Sequence, residues 1–268
     1  MFDGDTLIIL IFDSSKSLYK IFDFQARAFA FCLSGLTINP GLSYYFQNFI
    51  KNKMRQDIKI AVIGGTGKSG KYLVRELMSQ GFTFKLLVRN PKNFQSDYPN
   101  VEVVIGDAAN YDSIAKLIEG CDAVISTLGL GIPPSEPTLF SKATATIIQA
   151  MHHWNVHRYI VTTGLNVNSP QDQKGPKTTF ATNWMYENFP VSTANKQLEY
   201  DILAKSEIDW TLVRLPKIEL VDEKRPIATS LEDCPGDKIS ATSLANFLIE
   251  QLSDQTFIKK SPFIANLP

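Results

Sequence analysis

The chain has 268 residues, 44% hydrophobic and 20% charged, an ordinary globular mixture that can bury a core of its own and excludes collagen-like, coiled-coil and disordered classes. Lys plus Arg is 27 and Asp plus Glu is 27, so no net field draws the protein to nucleic acid. Cys32, Cys121 and Cys234 are odd in number, far apart and without a C-x-x-C spacing, which argues against a disulfide framework or a zinc site and for a reducing, cytoplasmic setting.

The first 53 residues hold 11 aromatics against 18 in the remaining 215, and this shift sets a boundary near Met54. The expected organisation is an N-terminal extension over 1–53, loosely structured or arising from a start codon placed upstream, followed by one domain over 54–268. Met1-Phe2-Asp3-Gly4-Asp5 lacks the basic start of a signal peptide. Ala28 to Ile50 is free of charge and is followed by Lys51, Lys53 and Arg55, as a membrane span would be. Ser34, Gly35, Thr37, Asn39, Pro40 and Gly41 dilute its apolar content, however, and no span is expected.

From Ile58 the pattern becomes regular. Ile58 to Ile63 is a short β-branched run that reads as a buried strand, and Ser69 to Gln80 carries Tyr72, Leu73, Leu77 and Met78 at helical spacing before Gly81. Further strands are expected at Phe84–Val88, Val101–Ile105, Ala123–Thr127, Tyr159–Thr162 and Trp210–Val213, with helices over Ser113–Glu119, Lys142–His153 and Ala194–Lys205. Such alternation predicts an α/β fold, a Rossmann-like doubly wound parallel sheet in the order 3-2-1-4-5-6 with helices on both faces and an added strand near Phe257 to Ile264. Asn166 to Phe189 reads as a substrate-side loop or lid, with Phe180, Trp184, Met185 and Tyr186 serving either a flat aromatic acceptor or the core.

Between the first strand and helix stands Gly64-Gly65-Thr66-Gly67-Lys68-Ser69-Gly70, which fits G-x-G-x-x-G from Gly65 and G-x-x-G-x-x-G from Gly64. In that position glycines permit the tight turn, let backbone approach a pyrophosphate and present a helix N-terminus to its charge. A triphosphatase P-loop needs a glycine five residues before Gly67, where Val62 stands. Past the second strand, where an NAD site carries Asp or Glu, this chain has Arg89, whose planar donor fork suits a 2′-phosphate, with Lys68 as a second cation. NADPH is therefore expected over NADH; the plainer alternative for Arg89 is a solvated strand-end charge.

With Leu87-Val88-Arg89-Asn90-Pro91, Gly106-Asp107-Ala108 and Asp209-Trp210-Thr211-Leu212-Val213-Arg214-Leu215-Pro216, the segment from Ile58 onward resembles the atypical short-chain dehydrogenase/reductase superfamily, particularly its NmrA-like and biliverdin/flavin-reductase-like members. The resemblance implies that Asp107 lies near the adenine, that Thr127, Leu128 and Gly129 line the path to the nicotinamide ribose, that Pro216 lies near the carboxamide, and that Ala108 and Thr162 also bind the cofactor; the plainer alternatives are a turn or helix-cap residue for Asp107 and a turn for Pro216. Thr163 matches the catalytic serine position. The superfamily's Tyr-x-x-x-Lys pair does not occur; Lys196 matches the lysine, and Ser192 stands where the tyrosine would be. A serine hydroxyl is a far poorer acid than a phenol, so acceptors needing little acid catalysis are favoured. Tyr186 and Tyr200 are substitute donors or plain packing residues.

The expected function is thus an NADPH-dependent reductase of a small acceptor (flavin, quinone or carbonyl), acting as a monomer or homodimer on a small-molecule substrate. The alternatives are an NmrA-type NADP-sensing regulator without catalysis and a nucleotide-sugar epimerase or dehydratase. No metal is expected, because His152 and His153 are adjacent and the helix that would pair His153 with His157 ends near Trp154.

Overall fold

The computed structural model describes residues 58–94, 96–129 and 136–267. The aromatic-rich segment 1–53, the boundary at Met54 and the charge-free run 28–50 lie outside the described residues. Among the described residues no helix is long and apolar enough to cross a membrane.

Strands and helices alternate as β1 (Lys59–Ile63), α1 (Gly70–Ser79), β2 (Thr83–Val88), β3 (Val101–Ile105), α2 (Tyr111–Ile118), β4 (Ala123–Ser126), α3 (Leu139–His153), β5 (Arg158–Gly164), α4 (Pro176–Asn188), α5 (Pro190–Ala204), β6 (Asp209–Leu215), β7 (Lys217–Glu219), β8 (Ile227–Ser230), β9 (Lys238–Ser240), α6 (Ala241–Glu250) and β10 (Phe263–Asn266). The main sheet runs β3-β2-β1-β4-β5-β6-β10-β8, so the order 3-2-1-4-5-6 is borne out and two strands extend it. β10 pairs parallel with β6, and β8 closes the edge antiparallel. β7 and β9 form a separate parallel pair.

The central strands are largely apolar because both faces are covered, with buried polar exceptions such as Lys85, Thr162, Thr163, Thr211 and Arg214. Ala61, Ile63, Val124, Tyr159, Val161 and Leu212 pack under α2, α3 and α5, while Ile60, Val62, Ile125, Ile160 and Val213 pack under α1 and α6. Alternation along β5 therefore sends Tyr159, Val161 and Thr163 to the α3/α5 layer.

Several expectations are corrected. Asn166 to Phe189, expected as a substrate-side loop or lid, is not loop throughout: α4 occupies just over half of it, starting at Pro176. α4 buries only Thr178 and Thr182, so it has no apolar stripe for a periodicity argument to find. α5 begins at Pro190 rather than Ala194, its proline at a first-turn position that needs no N–H. α3 starts at Leu139 and α2 at Tyr111, where Asn110 caps by accepting from Ser113 N–H. α6 follows Ser240, whose hydroxyl accepts from Ser243 N–H, a cap signal that could have revealed it.

Candidate functional site

The turn after β1 is shaped by two glycines. Gly64 has φ +79°, and a Cβ there would lie 2.7 Å from the carbonyl carbon of Thr127. Gly70, the first residue of α1, would press a Cβ to 2.1 Å from Gly64 O. The amide of Gly67 closes the turn on Gly64 O at 2.9 Å, and Thr127 N–H donates to Ile63 O at 2.9 Å, tying the end of β4 to the end of β1. No side chain caps the start of α1.

Around this turn lies a cavity of ≈ 440 Å³. The turn supplies Gly64, Thr66, Gly67 and Lys68, α1 supplies Lys71, the end of β2 supplies Leu87 and Arg89, the segment after β3 supplies Asp107 and Ala108, and the segment after β4 supplies Thr127, Leu128 and Gly129, with Leu139 of α3. Ten of the expected cofactor residues thus share one cavity at the C-terminal strand ends, as open α/β sheets require. Gly65, Ser69, Gly70, Thr162 and Pro216 do not line it. Gly65 and Gly70 are buried beneath the turn, Ser69 occupies the N-cap of α1, Thr162 is buried at the end of β5, and Pro216 is buried between β6 and β7.

Lys68, Lys71 and Arg89 are exposed at this cavity and give its glycine-turn side a positive character. Lys71 was not among the expected residues; it stands in the first turn of α1, Lys68 in the turn that precedes it, and both line the same cavity. Asp107 lines the cavity and also accepts Ala109 N–H at 2.9 Å, so it is a turn former as well as a wall residue. A cradle that a Cβ would fill, beside three cations, fits the phosphates of a dinucleotide.

The expected catalytic residues sit apart from that lining. Lys196 Nζ donates to Glu199 Oε2 at 2.8 Å and to Thr162 O at 3.2 Å, and rests 3.8 Å from the centroid of Phe140. Thr144 Oγ1 donates to Glu199 Oε1 at 2.9 Å. Thr163 is buried, and its hydroxyl has no partner among the described residues. Ser192 is half-buried and donates to Phe189 O at 3.3 Å, within the first turn of α5. Tyr200 meets Trp210 edge-on at 6.0 Å, and burial raises its phenol pKa. Tyr186 is half-buried. Tyr159, fully enclosed beside Glu199, is held well above the usual phenol range, first by burial and then by that carboxylate. Glu199 and Thr144 are further residues that no sequence pattern revealed.

Arg214, near the end of β6, is fully buried, stacked 3.5 Å over the Phe263 ring. It donates to Ser261 O, Val167 O, Leu231 O and the Asp172 carboxylate, so it pins the loop after β5. α3 ends at its cap Trp154 with His152 and His153 exposed, and no metal-binding group of His, Cys, Asp or Glu occurs among the described residues. A second cavity of ≈ 370 Å³, between β8 and α6, contains none of the expected site residues.

Three comparisons agree with this geometry. Over 78% of this chain and 91% of the other, the fold matches an oxidoreductase, ylbE of Lactococcus lactis, with TM-score 0.65 and 19% identity. It also matches a short-chain dehydrogenase/reductase of Veillonella parvula solved in complex with NADP, with TM-score 0.64 and 17% identity over 78% of this chain and 94% of that one. Among curated proteins, isoflavone reductase homolog A622 of Nicotiana tabacum is 40% identical over 81 residues, and photosystem II assembly factor Ycf39 of Trieres chinensis is 28% identical over 115. These matches span 26% and 41% of this chain, and only 26% and 35% of the relatives. The Rossmann-like fold that the resemblance implies is borne out. A family model described as NAD(P)H-binding matches residues 64–255, from the first glycine of the turn to past α6, and the chain belongs to that family.

Proposed function

We propose that this protein is an NADPH-dependent reductase of a small electron acceptor such as a flavin, a quinone or a carbonyl. The observation that carries the reading is the cluster of Lys68, Lys71 and Arg89 around the glycine-turn cavity, with a cation rather than a carboxylate at the end of β2. Arg89 and the two lysines would hold the 2′-phosphate and pyrophosphate, and Asp107 with Ala108 would flank the adenine. When bound, the dinucleotide supplies the hydride. Thr127, Leu128 and Gly129 lead from the turn toward the end of β5, where Thr163 offers a buried hydroxyl and Lys196 an ammonium. Ser192 is engaged with Phe189 O and is no substitute for a phenol, which favours acceptors that take hydride with little help from a protein acid. Cys121 and Cys234 are both free, in keeping with a reducing compartment such as the cytoplasm.

The pairing of Lys196 with Glu199 and the engagement of Ser192 favour, as a second reading, a protein that binds NADP without turning it over. The Ycf39 relative is an assembly factor by name, which fits that alternative. Titration of the purified protein with NADPH and NADH, followed by oxidation of the tighter cofactor with flavins, quinones and carbonyls, separates the two. Tight NADPH binding with turnover is expected; binding without turnover on any acceptor selects the regulator, and failure to bind either cofactor overturns both.

A further inference from the structure

Glu199 is 2% exposed and Lys196 12%, so this i,i+3 pair on α5 is withdrawn from water. A buried carboxylate is tolerated only when its oxygens are satisfied, and here both are: Oε1 by Thr144 of α3, Oε2 by Lys196. Lysine is a flexible side chain that loses much rotamer freedom when fixed. Three elements nevertheless hold this one in place, through Glu199 on α5, the Thr162 carbonyl on β5 and the Phe140 ring on α3.

The place where the ammonium is held matters. Thr162 O lies near the C-terminal end of β5, and Phe140 follows Leu139, which lines the cofactor cavity together with Thr127 and Gly129. Among the described residues, the oxygens of Glu199 and Thr162 take two of the three ammonium N–H groups and the Phe140 ring faces the ammonium at 3.8 Å, a weaker partner that a ligand hydroxyl can replace. We infer that Glu199 is a positioning residue: acting through Lys196, it holds the ammonium toward the nicotinamide half of the dinucleotide, and Thr144 fixes Glu199 in turn. This rests on the NADP-binding reading above.

The test compares NADPH with adenosine 2′,5′-bisphosphate, which carries the phosphate-bearing half and lacks the nicotinamide nucleotide. Both are titrated into the wild-type protein, Glu199→Gln and Thr144→Val, with Tm recorded. Glu199→Gln should weaken NADPH about tenfold, the order of one charge-assisted hydrogen bond, and leave the bisphosphate within about twofold. Thr144→Val should shift NADPH in the same direction by less. Equal losses for both ligands, or none for NADPH, overturn the assignment while the cofactor reading stands. A wild-type protein that binds neither ligand overturns the cofactor reading and this one with it. Should Glu199→Gln fail to fold, the double variant K196M/E199L removes both charges at similar volume. A selective loss of NADPH there supports the role of the held ammonium, and unchanged NADPH binding overturns it.

Discussion

Gly70 and Gly64 meet so closely that a Cβ on Gly70 would stand 2.1 Å from Gly64 O and 2.8 Å from Thr127 Oγ1. The obstacle is backbone, which cannot swing aside, so a methyl group must push α1 off the turn. Gly70→Ala should therefore cost roughly 1–3 kcal/mol, the usual cost of overpacking. In a domain of this size that lowers Tm by several degrees, at about 2–4 °C per kcal/mol. NADPH binding should fall much further, because the same shift moves the amides meant for the pyrophosphate. Thermal melting together with a cofactor titration checks both, and an unchanged affinity would detach the turn from the cofactor.

The cations around the cavity should separate the two nicotinamide cofactors. Arg89→Ala removes a planar donor fork and is expected to weaken NADPH by roughly 10- to 100-fold while NADH changes less than about twofold. Lys71→Ala should act in the same direction by less, since an exposed ammonium is a solvated point charge. Equal losses for both cofactors would remove Arg89 from the 2′-phosphate.

Asp233 ties the loop after β8 to the start of α4. Burial alone would raise its pKa, but hydrogen bonds from Thr178 and the Cys234 and Gly175 amides bring it below the ordinary value of 3.8. A carboxyl lowered in the folded state contributes stability that is present above its unfolded pKa and is lost as pH falls through its folded pKa. Stability should accordingly decline as pH drops below about 4. Asp233→Asn should flatten that decline while lowering stability at neutral pH, as denaturant midpoints between pH 3 and 7 would record.

The central sheet was readable because β1, β2 and β4 to β6 are buried on both faces, and short runs rich in β-branched and other apolar residues announce such strands despite the polar residues Lys85, Thr163 and Arg214 within them. The glycine turn was readable for a related reason: backbone geometry at Gly64 and Gly70 leaves almost no other residue type possible. α4 was hidden because its surroundings are solvent, and a helix without an apolar stripe has no period to detect. Lys71 was obscured by being an ordinary exposed lysine, and only the lining of the cavity joins it to Lys68. Glu199 and Thr144, 55 residues apart, acquire meaning only from the packing of α3 on α5. Pro216 and Thr162 carried motif likeness, yet the strand ends bury both away from the cavity lining.

The aromatic residues of α4 turn out not to be core. Phe180 is 72% exposed and Trp184 46%, with Trp184 meeting Phe189 edge-on at 5.7 Å across the junction to α5. Trp184→Ala should therefore move Tm by less than about 2 °C, since exposed substitutions usually stay within ±0.5 kcal/mol. α4 follows the loop that leaves the C-terminal end of β5, the side of the sheet on which the glycine turn lies. If a flat acceptor stacks on this surface during reduction, the same variant should raise the acceptor KM roughly fivefold, the worth of one stacking contact of about 1 kcal/mol, and leave NADPH affinity unchanged. A large fall in Tm would return Trp184 to the core, and an unchanged KM would place the acceptor elsewhere.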